Sequence, residues 1–106
     1  MKTWRVEVIP RVEERLIEIL TYIGSNPLHN ADAAEAVLDD FEATIKTIGL
    51  MGDRIPIGTH PIMRRRALRR VNFHSHQFCL IYRIQDDTAQ VICIAHFKED
   101  MDRVLE

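Results

Sequence analysis

Cysteine is scarce in this chain. Cys79 and Cys93 are the only two, and they lack C-x-x-C spacing, so a disulfide framework is excluded. Their neighbours Phe78, Leu80, Ile92 and Ile94 mark both as small buried hydrophobes. No apolar run approaches the roughly 20 residues that cross a bilayer, and no basic-then-apolar leader opens the sequence, so a cytoplasmic protein is expected. No glycine-rich phosphate loop is present, which removes the usual basis for a nucleotide cofactor; none is expected. Acidic residues are missing altogether between Arg54 and Gln85, a segment that holds seven arginines. That stretch is a local positive field suited to phosphate or an acidic partner. It also reads as a solvated strand face that answers acidic helices.

What is present describes one globular domain, residues 1–106. Apolar residues make up 46% and charged residues 28%, enough to bury a single core without a metal or disulfides. The net charge of −2 argues against indiscriminate coating of nucleic acid. The halves differ: residues 1–53 hold ten acids and five bases, and residues 54–106 hold six acids and nine bases.

Thr3 to Ile9 alternates, with Trp4, Val6 and Val8 on one side, and predicts a first strand. Pro10 ends it and presets the first turn of a helix. Val12, Leu16, Ile19, Leu20 and Ile23 then form one apolar stripe. Gly24-Ser25-Asn26-Pro27 stops that helix. A second helix, capped by Asn26 or Asn30, carries Ala34, Val37, Leu38, Phe41, Ile45 and Ile48 on one face. Either stripe reads as a partner-binding face or as core; a sheet downstream needs covering, which favours core.

Gly49 to Pro61 holds three of the four glycines and two prolines and predicts an irregular connector. Beyond it lies Arg64 to Lys98, the stretch the rest is organised around. Five arginines in seven positions (Arg64, Arg65, Arg66, Arg69, Arg70) open a basic strand that feeds a β-hairpin. His76, Phe78, Leu80, Tyr82 and Ile84 share one face of the next strand, and Gln77, Cys79, Ile81 and Arg83 the other. The last strand runs from Gln90 to Phe97. A turn centred on Asp87-Thr88 sets Tyr82 opposite Cys93 and Cys79 opposite His96, with the cysteines on opposite faces. Glu99 to Leu105 makes one or two helical turns resting on Met101, Val104 and Leu105. The layout is α+β, with a helical hairpin on one face of a small, mainly antiparallel sheet.

His74-Ser75-His76 places two imidazoles near Cys79, yet no second ligand pair sits at zinc spacing, so no metal is expected. Ser75 lacks a nucleophile elbow, and neither cysteine has an activating context. Metal-free RNA cleavage needs a base, a phosphate-binding cation and an acid. His74, His76, His96, Tyr82, Lys98 and the arginines supply those types, as an ordinary basic sheet would.

The order β-α-α-β-β-β resembles the RelE/ParE superfamily of type II toxin–antitoxin toxins. The likeness is carried by YIGSNP, the P-I-G connector, the LRRV strand, FCLIYRI and VICIAHFKED, and it spans nearly the whole chain. It implies a growth-inhibiting toxin held by a cognate antitoxin. One branch cuts mRNA on the ribosome without a metal; the other inhibits DNA gyrase. Against the nuclease branch, an arginine three residues before Tyr82 falls on Cys79, one basic position falls on Asn72, and the tail tyrosine falls on Val104. Arg70 and Lys98 match, and a variant nuclease would draw on Arg70, His96, Lys98 and Tyr82. The ParE-like branch is favoured. It implies contact surfaces, not a catalytic centre, formed by Arg64, Arg65, Arg66, Arg69, Arg70, Arg83 and Lys98.

Overall fold

The computed structural model describes residues 2–25 and 31–105. The expected caps and stop at Asn26, Pro27 and Asn30 lie outside the described residues. Strand β1 (Arg5–Val8) leads through Ile9 into α1 (Pro10–Ser25). The carbonyl of Ile9 accepts the first helical amides, from Val12 at 3.0 Å and Glu13 at 3.4 Å. Proline fits here because the first helical N–H has no partner to lose. Helix α2 (Ala31–Met51) follows and packs antiparallel to α1. Val12 and Leu16 of α1, and Val37, Phe41 and Ile48 of α2, are buried in the seam against the sheet.

Downstream of the helices come α3 (Pro61–Arg66), β2 (Arg69–Asn72), β3 (Phe78–Gln85), β4 (Thr88–His96) and α4 (Met101–Val104). The sheet order is β1-β4-β3-β2. The β2–β3 and β3–β4 pairs are antiparallel, and β1 joins β4 in parallel. The fold is therefore the α+β arrangement anticipated from sequence, with a mainly antiparallel sheet in which β1 supplies a parallel pair.

Four expectations need correction. Arg64, Arg65 and Arg66 stand on a helix, not on a strand. Pro61 starts α3, the His60 ring accepts from the Ile62 amide at 3.3 Å, and Ala67 ends the helix with φ 55°. The Leu68 amide then reaches back to the Met63 carbonyl at 2.8 Å, the back-bond of a left-handed C-cap. Six residues are too few to hold a helix alone; the buried side chains of Met63 and Leu68 anchor it to the sheet.

The connector is also more regular than its composition implies. Helix α2 runs on to Met51, Gly52–Arg54 make a 3-10 turn, and Ile57 bridges to Arg69. Likewise His74-Ser75-His76 belong to the turn between β2 and β3, because β3 begins only at Phe78.

The fourth correction is the register. The hairpin turns on Asp86-Asp87, with Gln85 opposite Thr88 and Asp86 at φ 56°. Tyr82 therefore opposes Val91, not Cys93, and Cys79 opposes Ala95, not His96. A bulge adds Ile92 between the Tyr82–Val91 and Ile81–Cys93 pairs. One extra residue inverts the alternation beyond it. Ala89 and Val91 face the helices before the bulge, and Ile94 does after it. Cys93 and Ala95 consequently turn to the outer face, joining Cys79 and Ile81. The two cysteines share a face, and both are free thiols.

That outer face carries a second, smaller core. Met63, Leu68, Cys79, Ile81, Cys93, Ala95 and Leu105 are buried together, with Met101 and Val104 packed against them. The tail contacts expected for Met101, Val104 and Leu105 are present. Asp100 caps α4 by accepting from the Asp102 amide at 3.0 Å.

Candidate functional site

The short helices cover only part of the outer face. Toward the β3–β4 turn it is polar, since Arg5, Glu7, Arg83 and Gln90 follow the outward parity of β1, β3 and β4. Arg83 Nε donates to Gln90 Oε1 at 2.8 Å, and Gln90 Nε2 donates to Glu7 Oε1 at 3.2 Å. The ladder holds Arg83 through its Nε, and the residue remains exposed.

Of the arginines expected at a contact surface, Arg64 and Arg65 are exposed on α3. Arg66, also exposed, spends one nitrogen on the Leu105 carbonyl at 2.7 Å, tying α3 to the tail. Arg69 is half-buried on the helix side of β2. Its Nη1 donates to the carbonyls of Asp53 and Ile55, and its Nε is buried without a partner. This arginine pins the connector to the sheet. Arg70 lies on the outer face opposite Ile81, hydrogen-bonded to Asn72 at 2.9 Å and stacked over Phe97 at 5.2 Å. Lys98 is exposed just past β4.

The set named for a variant nuclease does not assemble. Tyr82 is fully buried in the helix-side core, and its hydroxyl donates to the Gly52 carbonyl at 2.6 Å. Burial, with the Asp53 carboxylate adding and Arg69 opposing, raises its pKa to about 12. Arg70 points to the opposite face of the sheet. His96 returns to the helix side beyond the bulge, edge-on to Phe78 at 5.4 Å, and its Nδ1 accepts from the Lys98 amide at 3.1 Å. Tyr82 is thus a core residue and not a cleft residue. The alternation of FCLIYRI already allowed either face to be inward.

One polar cluster escaped the sequence reading. Asp40 sits on the buried stripe of α2, 7% exposed. Its carboxylate accepts from the backbone amides of His74 and Ser75, both at 2.9 Å, and meets the His76 ring at 2.8 Å. Burial alone would raise its pKa; the His76 contact and the two amides outweigh this and hold it below the usual 3.8. Thr44, one turn on, is also buried and donates to the Asp40 carbonyl at 2.7 Å. The available signal was two polar residues spaced i, i+4 along the line from Val37 to Ile48. The cluster fixes the β2–β3 turn. Its atoms are engaged with one another, as a structural clamp requires.

Among the described residues, no group of three His, Cys, Asp or Glu side chains is placed to hold a metal, and no helix is long and apolar enough to cross a membrane. The two thiols are poor nucleophiles: burial raises both, Cys93 to about 11.

No protein-family model matches the chain, and no curated protein matches it in sequence. Among solved structures, it is similar to one described as "Chromosomal ParDE TA system from P. aeruginosa". The TM-score is 0.72 over 89% of this chain and 96% of that chain, at 11% sequence identity. The likeness covers most of both chains, and it shows a ParE-like fold.

Proposed function

We propose that this chain is the toxin of a toxin–antitoxin pair, a cytoplasmic growth inhibitor neutralised by a cognate antitoxin. It acts by gripping a protein target, and DNA gyrase is the target in this reading. The observation that carries the proposal is the near end-to-end likeness to a chain of a ParDE system. The placement of Tyr82 in the core and of Arg70 on the opposite face supports contact over bond cleavage. A metal-independent nuclease needs its acid, base and cation around one phosphate.

Arg64, Arg65, Arg70, Arg83 and Lys98 are the proposed target contacts; Arg64, Arg65, Arg83 and Lys98 are exposed, and Arg70 is half-buried on the outer face. Arg66 contributes from the α3 end, whereas Arg69 acts by positioning the connector. For the antitoxin, Ile17 and Tyr22 on α1 are 62% and 70% exposed. They offer apolar anchors to an extended or helical segment laid over the hairpin.

Induction without a partner should arrest growth, and the purified chain should block gyrase supercoiling while mRNA stays intact on ribosomes. Cutting of A-site codons in a translating extract would overturn contact-only action. Harmless accumulation at high level would leave a ParE-like fold without toxicity.

A further inference from the structure

Where the start of α1, the end of α3 and the outer face of β3 meet, the surface sinks into a pocket of about 190 Å³. Among the described residues, seven line it; three are arginines, namely Arg11, Arg66 and Arg83, and none is acidic. The remaining lining residues are apolar: Ile9, Ile92, Val104 and Leu105. These arginines lie far apart in sequence, so only the fold gathers them. Three like charges beside one hollow repel one another, and an anion shared among them relieves that repulsion.

Two of the three are already held in place. Arg66 spends one nitrogen on the Leu105 carbonyl at 2.7 Å, and Arg83 spends its Nε on Gln90 at 2.8 Å. A guanidinium carries five N–H donors, so each keeps most of its fork while its stem is fixed. Glu7, the carboxylate that Gln90 joins to this network, accepts from Gln90. Arg11 also borders a neighbouring groove containing Glu14 and Glu99, where Glu99 is engaged by Arg15 at 2.9 Å and by the His96 amide at 3.0 Å.

We propose that Arg11, Arg66 and Arg83 form a binding pocket for a single phosphate group. A tetrahedral phosphate spreads its oxygens in three dimensions toward forks arriving from three elements, whereas a carboxylate confines its acceptors to one plane. The volume lies below the range that buries a whole small-molecule ligand, so a nucleoside attached to that phosphate stays outside. The phosphate arrives either free or on a nucleic-acid strand. The site does not depend on the toxin reading.

The test titrates inorganic phosphate into the full chain in low-salt, phosphate-free buffer and follows backbone amides by NMR. Saturable shifts centred on Arg66, Arg83 and Ile92 are expected, with acetate at matched ionic strength producing none. Arg83→Gln and Arg11→Gln should each raise Kd about tenfold or more, the loss of one charge-assisted contact. Lys46→Gln removes the same charge from the exposed surface of α2 and should leave Kd unchanged. Equal weakening by Lys46→Gln, equal binding of acetate, or shifts without saturation would overturn the pocket. A short oligonucleotide separates the sources. Binding that phosphate competes away and Arg83→Gln weakens means a strand supplies the group; no oligonucleotide binding alongside saturable phosphate binding means a free anion does.

Discussion

The hydroxyl of Tyr82, in the middle of the sheet, donates to the carbonyl oxygen of Gly52 in the 3-10 turn just past α2, 2.6 Å away. This bond joins the two layers at the point where the helical hairpin hands the chain over to the sheet. Removing it in Tyr82→Phe leaves a buried carbonyl without its donor, which costs about 1–3 kcal/mol. Denaturant unfolding should show a lower midpoint with an unchanged slope.

Alkaline stability follows from the same residue. The folded pKa is raised to about 12, above the ordinary 10. Between those values the unfolded chain gives up its phenolic proton while the native one keeps it. Stability is therefore intact below pH 10 and falls as pH climbs toward 12, by about 2–3 kcal/mol in all. Tyr82→Phe should flatten that decline, measured as Tm against pH.

Gly52 also meets Trp4. A Cβ built on this glycine would stand 2.0 Å from the indole nitrogen, and its φ is +23°. A side chain there must displace the half-buried Trp4 ring. Gly52→Ala should destabilise by about 2–4 kcal/mol, in the range of overpacking plus backbone strain, and should change Trp4 fluorescence. Trp4 emission unchanged at wild-type stability would contradict this packing.

Asp40 gives the opposite pH limb. Its folded pKa is depressed below 3.8, so in acid the unfolded chain takes up a proton before the native chain does. Its contribution is complete above 3.8 and disappears as pH drops through the folded value. Asp40→Ala, which strands two amides and the His76 ring, should cost about 2–3 kcal/mol at neutral pH. Hydrogen exchange should accelerate at His74 and Ser75 first, and the acid limb should become shallower.

Ala67 closes α3 at φ 55°, where a Cβ crowds the following carbonyl. Glycine removes that crowding but gains freedom in the unfolded chain. Ala67→Gly should therefore stabilise modestly, by about 0.5–1 kcal/mol, read as a Tm rise of a few degrees.

Much of this architecture is written in local pattern. The stripe from Val12 to Ile23 and that from Val37 to Ile48 announce two amphipathic helices. The alternation of Phe78 to Ile84 announces a strand, and Met101, Val104 and Leu105 announce a docked tail. Less legible was the helix under Arg64, Arg65 and Arg66. Its propensity is ordinary, and it exists because Met63 and Leu68 find an apolar patch on the outer face of the sheet. Asp40 escaped notice because a carboxylate on a buried stripe makes sense only when the amides of a distant turn arrive to meet it.

The chain by itself determined the two long helices, the strands, the tail helix, their order and the segregation of positive charge after residue 53, since these depend on periods of two and 3.6 and on composition. Tertiary structure decided which way each strand faces. The extra residue at Ile92 sits where β4 leaves β1 and passes under α1, and it turns Cys93 outward and His96 inward. Alternation fixes only relative parity between neighbours, whereas a bulge resets that parity in response to packing from both sides. The same packing gathered Arg11, Arg66 and Arg83 around one hollow, a convergence that no spacing along the chain encodes.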